Sequence, residues 1–192
     1  TAYTVEFNRG NLASGGSMAN LIAISTARIA KKIKSKDIEI STIYLTKQAH
    51  HCVTKALKIV GLHEIQLRYV PMDEKYRMNP ELLAEQIEKD KSEGLKPFML
   101  VASAGSTDVG AIDPLDKLAD IAEKFDLWYH IDGAYGGFFL LCDETKDKLV
   151  GINRADSVIE RVPAIKIDDP EAEPVGPIED DILFKDVEFT YK

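Results

Sequence analysis

The residue best placed to do chemistry in this chain is Asp132. It closes an apolar run, Phe125 to Ile131, that reads as a buried strand, and the Gly136-Gly137 pair after it must turn. An acidic residue at the carboxyl end of a central parallel strand sits where open α/β sheets bind their ligands. A carboxylate buried there needs a cationic partner, because an unpaired interior charge is very costly. The protonated ring nitrogen of a bound cofactor would supply one. A strand-ending Asp that caps the next turn is the plainer alternative.

Three other stretches carry similar chemistry. Ser14-Gly15-Gly16-Ser17 leads into a helical pattern, Leu21 to Arg28, that ends in the basic cluster Lys31, Lys32 and Lys34. Free N–H groups at such a helix start, together with the macrodipole and the Ser17 hydroxyl, make an anion site. Gly15 and Gly16 let the main chain approach a phosphate closely, although a plain Ser-capped helix gives the same pattern. The stretch is neither a Walker loop nor G-x-G-x-x-G, which disfavours nucleotide binding by those routes. His50 falls at a strand-to-helix junction, where a flat imidazole can stack on a planar ring or merely cap the helix. Thr107 lies in the loop Ala104 to Gly110 after another strand, where its hydroxyl can steady a ligand or Asp132, or simply belong to a turn.

The elements that must position these residues alternate. Ile38–Leu45, Ile65–Val70 and Pro97–Ser103 read as strands, as does the run ending at Asp132. Between them, one helix follows Cys52 and ends at Gly61, one opens at Asn79-Pro80 and closes at Gly94, and one runs from Asp113-Pro114 to Phe125. Alternation of this kind implies right-handed crossovers and one mostly parallel sheet.

At 45% hydrophobic and 29% charged residues, the 192-residue chain has the profile of a soluble globular domain. No apolar run approaches a membrane span, and the start shows no signal-peptide pattern. Cys52 and Cys142 are too few for a disulfide framework and suit a reducing cytosol, so a cytoplasmic location and two small core residues are expected. His50 and His51 are adjacent and cannot share a face, and no metal-ligand spacing is present. Of the net charge of −8, six units fall between Ile165 and Asp181, where seven acids face Lys166 alone among prolines. That stretch reads as a solvated linker, and with no basic stripe a nucleic-acid partner is not expected.

Taken together, these loops resemble the large domain of the pyridoxal-phosphate-dependent group II decarboxylases, which include aromatic amino acid, glutamate and diaminobutyrate decarboxylases. The resemblance runs from about Asn11 to Ser157. It rests on Ser-Gly-Gly-Ser-Met-Ala-Asn, Gln-Ala-His-His, Ala-Gly-Ser-Thr-Asp-Val-Gly-Ala-Ile-Asp-Pro, Trp-Tyr-His-Ile-Asp-Gly-Ala-Tyr-Gly-Gly and Gly-Ile-Asn-Arg-Ala-Asp-Ser. It implies an α/β fold of type I, pyridoxal 5'-phosphate as cofactor, an amino acid substrate and a homodimer with sites at its interface. By the same resemblance Gly16 and Ser17 match the phosphate-binding turn, His50 the residue stacked on the pyridine, and Asp132 the partner of the ring nitrogen. Ala134 matches the small residue on the opposite face, Thr107 and His130 match residues near the ring's edge, and Ser157 a second phosphate contact.

The chain departs from the family after Ser157. The family continues to a His-Lys pair whose lysine bonds the cofactor covalently. Here that spacing lands on Ala164, preceded by Pro163, while Lys166 comes two positions late. The lysine is read as missing, which implies a fragment inactive alone or a non-catalytic cofactor-binding pseudoenzyme. The tail resembles the linker and first strand of an ABC-transporter nucleotide-binding domain, with Tyr191 at the place of its adenine-stacking aromatic. The expected organisation is therefore a partial large domain over 1–158, an acidic linker over 159–181 and an isolated strand over 182–192.

Overall fold

A computed structural model describes residues 10–162 and 186–191. In chain order the elements are β1 (Gly10–Ala13), α1 (Gly16–Ala30), β2 (Ser41–Leu45), α2 (Cys52–Ile59), β3 (Gln66–Tyr69) and α3 (Pro80–Ser92). They continue with β4 (Lys96–Ser103), α4 (Leu115–Phe125), β5 (Trp128–Gly133), β6 (Ser157–Val162) and β7 (Asp186–Tyr191). The strands form one sheet in the order β1-β7-β6-β5-β4-β2-β3. From β6 to β3 every pairing is parallel, while β7 runs antiparallel to both β6 and β1. This is the mostly parallel α/β architecture expected from the alternating pattern.

Local chemistry sets the helices. Asn79 caps α3 by accepting the Leu82 N–H at 3.0 Å, with Pro80 opening the helix. Asp126 ends α4 in the left-handed conformation (φ 54°), and the Leu127 N–H returns to the Ala122 carbonyl. Phe125 therefore belongs to α4 rather than to the strand read over Phe125–Ile131, which begins at Trp128.

Both faces of the sheet are covered. Ile43, Leu45, Met99, Val101 and Trp128 pack under α1 and α2 with Ile24, Val53 and Leu57. On the other face Tyr44, Leu100, Ala102, Tyr129 and Ile131 meet Leu83 and Ile87 of α3 and Leu118 and Ala122 of α4. A strand buried on both sides reads as a continuous apolar run, which is why β4 is buried from Phe98 through Ala102.

Two boundaries differ from expectation. The linker expected from residue 159 begins inside β6, where Ile159 is wholly buried and pairs in register with Asp132. The apolar pair Val158-Ile159 is needed to extend the sheet beyond β5. The expected isolated strand is not isolated: Asp186–Tyr191 lies between β6 and β1 and is paired along both edges. Residues 163–185, including Pro163, Ala164, Lys166 and the acidic run, lie outside the described residues. Among the described residues no helix is long and apolar enough to cross a membrane.

Candidate active site

Register brings the site together. Ser103 pairs with Asp132 across β4 and β5, so the carboxyl ends of these strands finish level. The loop after β2, the loop after β4, the end of β5 and the start of α1 enclose a cavity of about 420 Å³. Gly16, Ser17, His50, Thr107, Asp132 and Ala134 all line it. Six residues chosen from four separated stretches thus meet in one place.

The α1 end of the cavity has no side-chain cap. Gly15 occupies the N-cap position with φ +153°, a conformation that suits glycine, and no side chain accepts from the first turn. The Ser-capped alternative is therefore set aside: Ser17 sits within the first turn, exposed to the cavity. The first turn at the positive end of this fifteen-residue helix has no side-chain acceptor, and its Gly16 and Ser17 line the cavity, an arrangement that suits an anion.

The opposite wall depends on a close backbone approach. A Cβ on Gly136 would lie 2.3 Å from the Ala104 carbonyl oxygen, so the turn after β5 fits against the loop after β4 only without one. The Gly136-Gly137 pair read as a simple turn is therefore also a packing contact. Tyr135, carried on this turn, lines the cavity while remaining 60% exposed.

Asp132 is half-buried and held from two sides. Its Oδ2 accepts from Asn20 Nδ2 at 3.2 Å and its Oδ1 from the Ala134 N–H at 3.2 Å. Beside it, burial and then the Asp132 charge push the Cys52 thiol up to about 11, so this buried sulfur stays protonated. Cys142 is exposed, against the expectation of a core residue. His50 accepts the Cys52 N–H on Nδ1 at 3.3 Å, and its ring lies 4.1 Å from that of His51.

Two matched residues do not line the cavity. His130 is fully buried, and burial holds its pKa well below the ordinary histidine value, so the ring is neutral. Ser157 is 1% exposed, and its hydroxyl lies 2.8 Å from His130 Nδ1 and 2.9 Å from Trp128 Nε1. Its hydrogen-bonding capacity is committed in the interior, which takes it away from the phosphate role matched to it. His130 likewise stands behind Asp132 rather than at the rim.

The cavity fits a phosphorylated pyridine. It offers an uncapped helix start, a carboxylate at one end of a strand, and an imidazole and a methyl among its walls. It also holds Gln48 Oε1, a buried acceptor with no partner among the described residues, and so a place for a donor from an occupant. No lysine or arginine is among the described lining residues. Among the described residues no His, Cys, Asp and Glu cluster is placed to hold a metal.

An open α/β sheet binds its ligand at the carboxyl ends of its strands, which is where this cavity lies. Residues 3–161 match the pyridoxal-dependent decarboxylase conserved domain, and the chain belongs to that family. It is 42% identical over 149 residues to an aromatic-L-amino-acid decarboxylase of Bacillus atrophaeus, covering 78% of this chain and 31% of that protein. It is 38% identical over 161 residues to cysteine sulfinic acid decarboxylase of Mus musculus, covering 80% and 33%. The crystal structure of mouse CSAD superposes with TM-score 0.79 at 31% identity, over 97% of this chain and 38% of that one. A structure of Oryza sativa TDC with PLP and tryptamine gives TM-score 0.73 at 30% identity, over 79% and 33%. The chain thus spans about a third of the length of the curated relatives it matches.

Asn20, Gln48, Cys52, Ser103, Ser106 and Tyr135 also line the site, and no role was assigned to them from sequence. Asn20 carried a usable signal. It is a polar residue on the buried stripe of α1 formed by Ala19, Ala23, Ile24 and Ala27, and a buried amide needs partners.

Proposed function

We propose that this chain is the cofactor-binding part of the large domain of an amino acid decarboxylase that uses pyridoxal 5'-phosphate. The observation that carries the reading is that Asp132, at the carboxyl end of β5, shares one cavity with the uncapped start of α1. The N–H groups of the first turn, with the Ser17 hydroxyl, hold the phosphate. Asp132 holds the proton on the ring nitrogen, as a carboxylate facing a cationic ring does. His50 and Ala134 bound the ring's two faces, and Thr107 lies at its edge. When bound, the cofactor supplies an electron sink for the charge left as a carboxylate departs as carbon dioxide.

The same reading takes an amino acid as substrate and a homodimer as the assembly, in the cytoplasm. It holds the lysine to be missing, on the sequence Pro163-Ala164, so the fragment alone binds its cofactor without a covalent bond and is inactive. A second reading assigns the tail to an ABC-transporter assembly. The pairing of β7 on both edges supports instead a tail that completes this sheet. Recovery of the chain with transporter subunits in membranes would favour the transporter reading.

Titration with pyridoxal 5'-phosphate, followed by visible absorbance and borohydride reduction, tests the proposal. Saturable binding without a reducible lysine adduct is expected. Asp132→Ala should weaken binding about 100-fold, the cost of leaving a charge unpaired, while Asp108→Ala, an exposed neighbour of Thr107, changes it little. Equal titration curves for the two variants refute the placement of the ring. A borohydride-stable adduct on a lysine refutes the missing lysine.

A further inference from the structure

His130 and Ser157 belong to one hydrogen-bond chain that ends on Asp132. Trp128 Nε1 lies 2.9 Å from Ser157 Oγ, and Ser157 Oγ lies 2.8 Å from His130 Nδ1. His130 Nε2 lies 3.0 Å from Asn20 Oδ1, and Asn20 Nδ2 lies 3.2 Å from Asp132 Oδ2. Trp128, Ser157, His130 and Asn20 are 6%, 1%, 0% and 1% exposed, so water does not substitute for any of these links.

Both ends of the chain have fixed polarity. An indole N–H can only donate, and an ionised carboxylate can only accept. One assignment then satisfies every link. Trp128 donates to Ser157, whose hydroxyl donates to His130 Nδ1; His130 Nε2–H donates to Asn20 Oδ1, and the Asn20 amide donates to Asp132. All four donors point toward the carboxylate, and aligned bonds of this kind strengthen one another.

The alternative rotamer of Asn20 fails on the same grounds. Turning the amide over would set its oxygen against Asp132 and take its N–H away from the Gly16 carbonyl, 3.1 Å off, and from Cys52 Sγ, 3.2 Å off. It would also put the proton of His130 on Nδ1 and leave the buried Ser157 hydroxyl hydrogen without an acceptor in the chain. The cost of one such orphaned group is about 1–3 kcal/mol.

We propose that Asn20 is a positioning residue for Asp132, and that the Trp128–Ser157–His130 relay locks its amide in the donating orientation. Its role toward the ring rests on the function proposed above, whereas the relay itself does not. The fixed amide holds the carboxylate pointing into the cavity, where it meets the ring nitrogen of the proposed cofactor.

Two measurements on the full chain test this. Nitrogen-15 spectra of the histidine rings at neutral pH should show His130 protonated on Nε2 and bare on Nδ1. An Nδ1–H tautomer or an imidazolium would overturn the relay, and this test needs no substitution. In the second, Asn20→Ala is titrated with pyridoxal 5'-phosphate and with its analogue bearing carbon in place of the ring nitrogen. The dissociation constant for the natural cofactor should rise about tenfold, and that for the analogue should stay unchanged. An equal loss for both compounds, or no loss for either, overturns the positioning role. Failure of the wild-type chain to bind the natural cofactor refutes the proposed function instead, and the histidine spectra still decide the relay.

Discussion

Replacing Gly136 with alanine isolates the contact that joins the two loops of the cavity wall. The conformation of Gly136 (φ −106°) is open to any residue, so the demand on this position is purely one of space. A Cβ there would meet the Ala104 carbonyl oxygen at 2.3 Å, the Ala104 carbonyl carbon at 2.9 Å and the Gly105 Cα at 3.2 Å. Relief requires one loop to move by about 1 Å, because van der Waals contact with carbon begins near 3.5 Å and both opposing atoms are backbone. Overpacking of this kind costs about 1–3 kcal/mol, and the rigidity of the neighbours places Gly136→Ala near the upper end. Gly94→Ala is the matched control: its new Cβ meets nothing within 4 Å, but its φ of +81° costs about 1 kcal/mol. Urea unfolding followed by the fluorescence of the single tryptophan, Trp128, should separate them. With a slope of about 2 kcal/mol/M, the midpoint falls by about 1.5 M for Gly136→Ala and about 0.5 M for Gly94→Ala. A Gly136→Ala midpoint at or above that of Gly94→Ala would mean that the two loops do not touch as described.

Other perturbations read different parts of the fold. Asp90 is wholly buried and accepts from Tyr44 Oη at 2.9 Å, Arg68 Nε at 2.9 Å and Gln86 Nε2 at 3.0 Å; Asp90→Ala strands these donors and should cost about 3 kcal/mol by urea unfolding, with a loss under about 1 kcal/mol contradicting the network. Arg154 meets Asp116, Asp120 and Glu123, whose carboxylates are more than half exposed, so Arg154→Ala should lower stability by less than about 1 kcal/mol in the same assay. Asp113 is pushed up to about 6 by burial, against the pull of the Met78 and Ser103 N–H groups; it binds its proton more tightly folded than unfolded, so its contribution is present below about pH 4 and lost as pH rises through 6. His130, held low by burial, acts in the opposite sense and loses stability as pH falls below about 6.5. Asp113→Asn should therefore lose about 2 kcal/mol more than the wild type between pH 7 and pH 4, and parallel pH profiles of the urea midpoint would exclude a raised Asp113.

The parts of this fold that were legible in the sequence are those fixed by neighbours a few residues away. The Asn79-Pro80 cap, the strand–helix alternation and the four loops at one sheet edge all follow from local pattern, and the structure reproduces them. What was not legible depends on distant pairing. Nothing in Asp186–Tyr191 names β1 and β6 as its partners, because strand pairing is chosen by the space left in the sheet. The end of the domain was set too early for the same reason: Val158 and Ile159 carry no turn signal, and only their burial against β5 and α1 marks them as part of this sheet. His130 was matched to a residue near the ring's edge by resemblance alone. Its depth was not legible, because depth depends on how closely α1 lies over β5.

That closeness decides what Asp132 can do. Ala19, Ala23 and Ala27 on the inner side of α1 are all wholly buried, and such small side chains let the helix axis approach the sheet. Only with α1 this near can Asn20, one short side chain, bridge from the helix to both His130 and Asp132. The same approach brings the positive end of the α1 dipole toward the mouth of the cavity, where it favours negative charge. The aligned donors behind Asp132 and the helix end beside it present their positive ends to the same carboxylate. The run of alanines on α1 is thus part of the electrostatics of the site as much as of its packing.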